Sequence, residues 1–411
     1  MGNWDILPDD QNFWQEIENT FESVVDAFGF EKIHTSFFDD KSFYADHLDL
    51  EKDWPSHGDL ILRPNHTLSI LRAFFEHQLD ERPQPFKFYF LGPVFRPDEQ
   101  NQFGAEIVGS NSPLSDAFLI GMADAIYKKL GIENHIFVIN SLGCADCQNK
   151  INRCLTSYFS EYKHMLCPNC LKYYKNRPLK LLACKNENCR NLHSSAPVLV
   201  DILCEDCKEN LKEVLEYLDD IGVAYDFNPR FSVSPTYFTK TIFEIRPNGK
   251  TTSLGSGGRY DHLIRNISGK EIGGIGFMGK IPEIIKILKN KVTRKNQSVA
   301  KHHDIFLIFL GSSARKKSLP IVFKLHKAGF KILATLDQEP IKMQLDKAKQ
   351  LNVPFAIILG QKEARDNTFI VKSTLDGSQE TVDGKKLVDF LKKRLGGIVK
   401  IKKHFKEANF L

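Results

Sequence analysis

All nine cysteines of this 411-residue chain fall between residues 144 and 207. Eight form close pairs: Cys144 with Cys147, Cys167 with Cys170, Cys184 with Cys189, and Cys204 with Cys207. Three of the four pairs are C-x2-C, a spacing that lets one turn deliver two sulfurs to one tetrahedral ion. A single such pair is usually reduced, unliganded cysteine, but four in succession describe a segment held by metal rather than by a core of its own. Eight thiolates fill two closed sites and leave Cys154 over, so we expect two structural zinc ions. In simple chain order the first four cysteines form one site and the last four the other; an interleaved pairing fits the sequence equally well. Closed four-sulfur sites keep no open coordination position, so the metal is expected to hold structure rather than do chemistry.

The flanking sequence places this segment inside a larger body. Residues 10–29, "DQNFWQEIENTFESVVDAFG", carry Phe13, Ile17, Phe21, Val24, Val25 and Phe28 at helical intervals, with Gly29 suited to the end. "EKIHTSFF" and "DLILRP" read as strands, and "TLSILRAFFEHQL" as a helix begun by Thr67. "FKFYFLGPVF" and "AEIVG" read as a hairpin with a short acidic loop that opens at Arg96. A helix over "SPLSDAFLIGMADAIYKKLGI", the strand "HIFVIN" and, beyond the cysteines, the helix "CKENLKEVLEYLDDIGV" follow. Strands return in "TKTIFEIRP" and "TTSLGSGG", and a helix in "KIPEIIKILKN". Hairpins followed by helices predict an α+β body, an antiparallel sheet with helices packed on one face. From "DIFLIFLG" onward, strand and helix alternate, which predicts a small α/β domain with a mostly parallel sheet. The expected organisation is a first domain over 1–288 with the cysteine-rich insertion at 141–210, a basic linker at 289–303, an α/β domain at 304–395 and a basic tail at 396–411.

Net charge is only +5, but it is concentrated in "KNKVTRKNQSVAKHH" and "KKRLGGIVKIKKHFKEANFL", which flank the second domain. Two such runs beside one domain make RNA an expected partner. The N-terminus lacks a secretory pattern, and no apolar run reaches the roughly 18 residues of a membrane helix. We expect a cytoplasmic protein with no membrane partner, a compartment in which disulfides are not expected.

Several segments together resemble one family. "LGSGGRYDHLI" is similar to the Gly-Gly-Arg-Tyr-Asp segment of histidyl-tRNA synthetases, "LILRPNHTLSILRAFFEH" to their Leu-Arg-Pro-Glu-x-Thr segment, and "GPVFR" to the start of class II motif 2. "QFGAEIVGSNSPLSDAFLI" fits the strand and helix after that motif, and "NRPLKLLACKNENC" resembles the insertion of some bacterial members. The last domain resembles the class II anticodon-binding domain, and the resemblance covers nearly the whole chain. It implies a class II antiparallel sheet, ATP with magnesium for activation of histidine, transfer to tRNA, and a homodimer.

Residue by residue, the resemblance makes Arg96 the motif 2 arginine that contacts the α-phosphate and the substrate carboxylate. It assigns a substrate pocket to Asn65, His66, Thr67, Gln102, Glu106, Tyr237, Phe238, Gly257, Gly258, Arg259 and Tyr260. Departures fall both on groups that hold the substrate and on groups that handle phosphate. Asn65 stands where the family has the glutamate expected to pair with the substrate ammonium. "VSPTYF" replaces Arg-Gly-Leu-Asp-Tyr-Tyr, so the catalytic arginine is Val233 and the second tyrosine is Phe238. "GIGFMGKIPEII" lacks the motif 3 arginine: its best match is Glu283, and Lys280, the nearest cation, is out of register. About eight residues are deleted from the motif 2 loop, which brings it down to an ordinary hairpin connection. The stretch between "FFDD" and "GDLILRP", near the family's motif 1 dimer interface, is also shortened.

Each lost transition-state donor costs about 3–4 kcal/mol, a factor of about 100 to 1,000 in rate. The expected function is therefore a histidyl-tRNA synthetase-like paralogue with eroded adenylation motifs that binds tRNA through its C-terminal domain, or histidine. The alternative is a working histidine–tRNA ligase whose lost groups are replaced by Lys280, Arg246 or Arg265.

Overall fold

The computed structural model describes residues 5–48, 54–95, 99–184, 186–233, 237–292, 303–334 and 340–396. It divides into two compact units, Met1–Arg294 and Lys295–Leu411. Arg96 lies outside the described residues, as do 49–53 of the shortened stretch near the expected dimer interface.

The first unit is built on an eight-stranded sheet. From one edge to the other the strands are Glu31–Lys32, Phe86–Phe95, Glu99–Val108, Gly274–Lys280, Gly255–Arg259, Thr239–Pro247, His135–Ser141 and Tyr225–Phe227. Every pairing between the two edge strands is antiparallel, whereas each edge strand joins in parallel. The expected hairpin is present, and its ladder runs from Phe86 opposite Val108 to Phe95 opposite Glu99.

Period-2 alternation sends Phe103, Ala105 and Ile107 to one face and Gln102, Gly104 and Glu106 to the other. The first face is dry. Ile17, Phe21, Val24 and Val25 of the helix Gln11–Ala27 pack there. They meet buried residues of the helices Pro113–Lys129, Glu205–Asp220 and Ile281–Val292. Pro113–Lys129 carries its own boundary signals. The Ser112 side chain accepts from the Leu114 N–H, Pro113 opens the helix, and Lys128 and Lys129 lie in its last turn.

The second face is covered by the helix His66–Glu76, the helix Asp261–Ser268 and the cysteine-rich insertion, which share a second core. The first of these is capped by Asn65, whose side chain accepts from the Leu68 N–H at 2.9 Å, and it does not begin at Thr67 as the sequence suggests. Strand in "EKIHTSFF" is confined to Glu31–Lys32 and the Phe38 end. Phe38–Asp40 joins Ser56–His57 and Leu60–Leu62 in a separate small sheet.

The second unit has a five-stranded sheet. Ile332–Ala334, Ile305–Phe309 and Phe355–Leu359 pair in parallel, but Thr368–Ser373 and Gln379–Asp383 add on antiparallel. The sheet is thus mixed rather than mostly parallel, because "TFIVKS" and "QETVD" are joined by a tight turn instead of a helix. After the first strand, "SARKKSLPIVFKLHKAGF" carries two helices, Ser312–Lys316 and Ser318–Lys327. Among the described residues no helix is long and apolar enough to cross a membrane.

Candidate functional site

The polar patch on the second face is centred on Glu106, which is 1% exposed. Its Oε1 accepts from the Thr67 hydroxyl at 2.6 Å and its Oε2 from the Tyr260 hydroxyl at 2.7 Å. Burial pushes its carboxyl up to about 7, although both hydroxyls favour the charged form. The strand register explains why a carboxylate fits there. Glu106 is opposite Gly276, and Gly276 is opposite Gly258. A Cβ on Gly276 would stand 1.6 Å from Glu106 Oε2, so only glycine leaves room.

Around this centre the structure gathers most of the expected pocket. Asn65 donates from Nδ2 to the Tyr237 hydroxyl at 3.0 Å. The Tyr237 ring is half-buried, with its centroid 4.9 Å from that of Phe238. Gln102 is 4% exposed and lies on the same face, two residues before Gly104. Asn65, Thr67, Gln102, Glu106, Tyr237, Phe238, Gly258 and Tyr260 thus belong to one neighbourhood.

Three expected pocket residues are placed otherwise. Gly257 is on the opposite face, where a Cβ would meet Phe243 Cζ at 2.5 Å and Phe277 Cβ at 2.9 Å. Arg259 is wholly buried, and its guanidinium is committed to Asp116, Asp261 and the Ser110 carbonyl. Burial pushes the Asp116 carboxyl up while Arg259 pulls it back; because arginine stays protonated, the two form an ion pair beneath the site. His66 stacks on Phe90 with ring centroids 4.1 Å apart, and its Nε2 faces the Gly92 carbonyl at 3.2 Å. Burial drives its pKa down to about 3, which keeps the imidazole neutral, so its Nε2–H donates to that carbonyl.

Val233 is 8% exposed and packs in the second core, where its isopropyl group supplies no charge. Of the candidate replacement cations, Arg246 is paired with Glu244 and Arg265 with Glu271. Glu283 is paired with Lys286 at 2.8 Å on its own helix. Lys280 is placed by its pairing. Its strand places it opposite Gln102, on the pocket face at the hairpin end. The sequence offers Lys280 only as an out-of-register candidate and gives no sign of Gly276. Only the pairing of two strands far apart in the chain identifies either.

The cysteines form two groups in a nested order. Cys144, Cys147, Cys204 and Cys207 make an outer site, and Cys167, Cys170, Cys184 and Cys189 an inner one. Neither grouping by chain order nor simple interleaving is adopted, because the first and last pairs meet where the insertion leaves and rejoins the sheet. Within each group the sulfurs all lie within 4.8 Å of one another. Cys144 and Cys147 sulfurs are 3.6 Å apart and those of Cys167 and Cys184 are 3.9 Å apart. Tetrahedral zinc with Zn–S of about 2.3 Å requires sulfurs about 3.8 Å apart, so both groups fit a metal ion. The outer site is knit by reciprocal bonds: the Cys144 N–H donates to Cys207 Sγ at 3.2 Å and the Cys204 N–H to Cys147 Sγ at 3.1 Å. In the inner site the Cys170 N–H draws the Cys167 thiol down to about 7.

A profile described as "Anticodon binding domain" matches residues 304–394. An antiparallel sheet of the present order, helices packed on its dry face and such a domain define a class II aminoacyl-tRNA synthetase fold. A second profile, "Histidyl-tRNA synthetase", matches residues 2–152 and 161–284. The chain is 32% identical to a histidine–tRNA ligase of Desulforamulus reducens, over 96% of this chain and 98% of that protein. It is 31% identical to the histidine–tRNA ligase of Caldicellulosiruptor bescii, again over 96% and 98%. The crystal structure of apo S. aureus histidyl-tRNA synthetase superposes with a TM-score of 0.75 at 30% identity, covering 95% of this chain and 98% of that one. The chain therefore belongs to the histidyl-tRNA synthetase family.

Proposed function

We propose that this protein binds histidine and tRNA but does not form histidyl adenylate. The observation that carries this reading is the ladder of the motif 2 hairpin, which stays paired as far as Phe95 opposite Glu99. Only residues 96–98 connect the strands, so the long loop that reaches ATP and the tRNA acceptor end in the family has no counterpart. The absence of a cation at Val233 and the pairing of Arg246 and Arg265 with carboxylates point the same way. At the other end of the pocket the Thr67–Glu106–Tyr260 chain offers a buried carboxylate to an imidazole. The second unit, by its family, supplies the tRNA contact. The two cysteine sites hold zinc in a structural role.

The deciding experiment is histidine-dependent ATP–pyrophosphate exchange by the purified full chain, with L-histidine calorimetry and a tRNA gel shift alongside. Binding without exchange is the expected result, and robust exchange overturns the reading. A second reading, a divergent but active ligase, is favoured by one observation: Lys280 stands on the pocket face beside Gln102. Exchange that is lost in Lys280→Met would establish it.

A further inference from the structure

The outer cysteine site and the candidate pocket share a boundary. Cys144 precedes the helix Ala145–Glu161 as its cap residue, and Cys147 lies in its first turn. One residue on, Gln148 donates from Nε2 to the Phe238 carbonyl at 2.8 Å. Backbone bonds tie the same junction. The Leu142 N–H donates to the Lys240 carbonyl at 2.8 Å, and the Lys240 N–H to the Gly143 carbonyl at 2.9 Å.

Two positions with left-handed backbone show how closely this junction is packed. Lys240 is held at φ 46°, a left-handed conformation that a lysine keeps only where its surroundings impose it. Gly143, at φ +69°, lies so near the metal-binding turn that a Cβ would be 2.4 Å from Cys147 Cβ and 3.1 Å from Cys147 Sγ. The turn bearing the first two ligands and the segment Tyr237–Lys240 are therefore packed as one piece. That segment carries Tyr237, which Asn65 bonds in the pocket. The inner site is tied differently: the bonds at its own cysteines stay inside the insertion, and only beyond its last ligand does Arg230 donate from Nε to the Ala196 carbonyl at 2.6 Å and the Leu199 N–H to the Pro229 carbonyl at 3.0 Å. The Cys167 N–H donates to Cys189 Sγ at 3.2 Å, and the Tyr158 hydroxyl to the Leu192 carbonyl at 2.8 Å.

We propose that the outer cysteine site is a metal-responsive support for the pocket, with Gln148 as the positioning residue. Metal held by Cys144, Cys147, Cys204 and Cys207 fixes the first turn of the helix. Gln148 then holds the Phe238 carbonyl, and Tyr237 keeps its place over Asn65. Loading of the outer site, and not of the inner one, sets the affinity of the pocket. The affinity arm of the test rests on the histidine-binding reading above, whereas the exchange arm does not.

The test uses the zinc-loaded full chain with three readouts: zinc per chain, amide hydrogen exchange over residues 237–241, and calorimetry with L-histidine. Gln148→Ala is expected to keep both zinc ions, to speed exchange of the Lys240 amide and to weaken L-histidine about tenfold, the worth of one hydrogen bond. Gln148→Lys returns an N–H donor and is expected to recover most of that loss, which a mere packing role would not do. Cys204→Ser should lose one zinc and reproduce the Gln148→Ala effects. Cys184→Ser should also lose one zinc but leave exchange at 237–241 and affinity unchanged.

Equal effects of the two cysteine variants overturn the proposal, and so does unchanged exchange in Gln148→Ala. If Cys204→Ser does not fold, Gln148→Ala and Cys184→Ser still decide it. If the wild type binds no L-histidine, the histidine-binding reading fails while the exchange arm continues to test the coupling.

Discussion

The two ends of the pocket have been treated differently. At the end near Glu106 two hydroxyls donate to one buried carboxylate, and a glycine opposite makes room for it. Elsewhere, only residues 96–98 join the hairpin strands, Val233 carries no charge, and of the candidate replacement cations Arg246 and Arg265 are paired with carboxylates. Groups that recognise a ring need only hydrogen-bond geometry. Activation of a triphosphate additionally needs positive charge aimed at the oxygens where negative charge grows. A pocket can lose the second capacity and keep the first.

The largest expected effect tests the hairpin end. The proposed reading gives no cation to Val233 or Glu283, at about 10²–10³ each, and so expects histidine-dependent pyrophosphate exchange to fall below detection, at least about a thousandfold under an active ligase assayed in parallel. Next comes the support beneath the site. Arg259→Met leaves Asp116 buried without its cation, and we expect a loss of about 3–5 kcal/mol in urea or thermal unfolding.

Glu106 offers a third measurement. Its carboxyl is raised to about 7 from the usual 4.5, so the folded chain holds a proton that the unfolded chain has released. The stability this contributes is complete below about pH 4.5 and is lost as pH rises through about 7, a change of about 3 kcal/mol that Glu106→Gln should abolish. In the same variant L-histidine binding should weaken about 10- to 100-fold, the range for a hydrogen bond to a charged group. If binding is unchanged, the Glu106 end is no more functional than the hairpin end, and the contrast disappears. The smallest effect is expected from Gly276→Ala. The added methyl displaces Glu106, and overpacking of this kind costs about 1–3 kcal/mol, read as a lower Tm.

Much of this was legible in the sequence because it is local. The hairpin, and the alternation that sends Gln102 and Glu106 to one face, follow from a period of two. The helix Gln11–Ala27 follows from apolar spacing. What escaped depends on distant parts of the chain. Gly257 and Gly258 are adjacent, and only the register with Gly276 and Phe277 shows which faces the pocket. Arg259 reads as available from its own segment, but Asp116, 143 residues earlier, holds its guanidinium. The nesting of the cysteines depends on where the insertion returns, which the spacing within each pair does not encode. The last strand of the second sheet, Gln379–Asp383, escaped because it is mostly exposed and polar and has no apolar run to announce it.

The Gly-Gly-Arg-Tyr segment invites one last reading. Its arginine locks to an acid on the neighbouring helix, one of its glycines lies under an aromatic pair on the dry side, and its tyrosine props up a carboxylate. Those duties belong to the architecture and persist whatever becomes of catalysis. A signature of this kind can outlive the reaction it is taken to announce, so its presence certifies a lineage and leaves the livelihood of the protein to be measured.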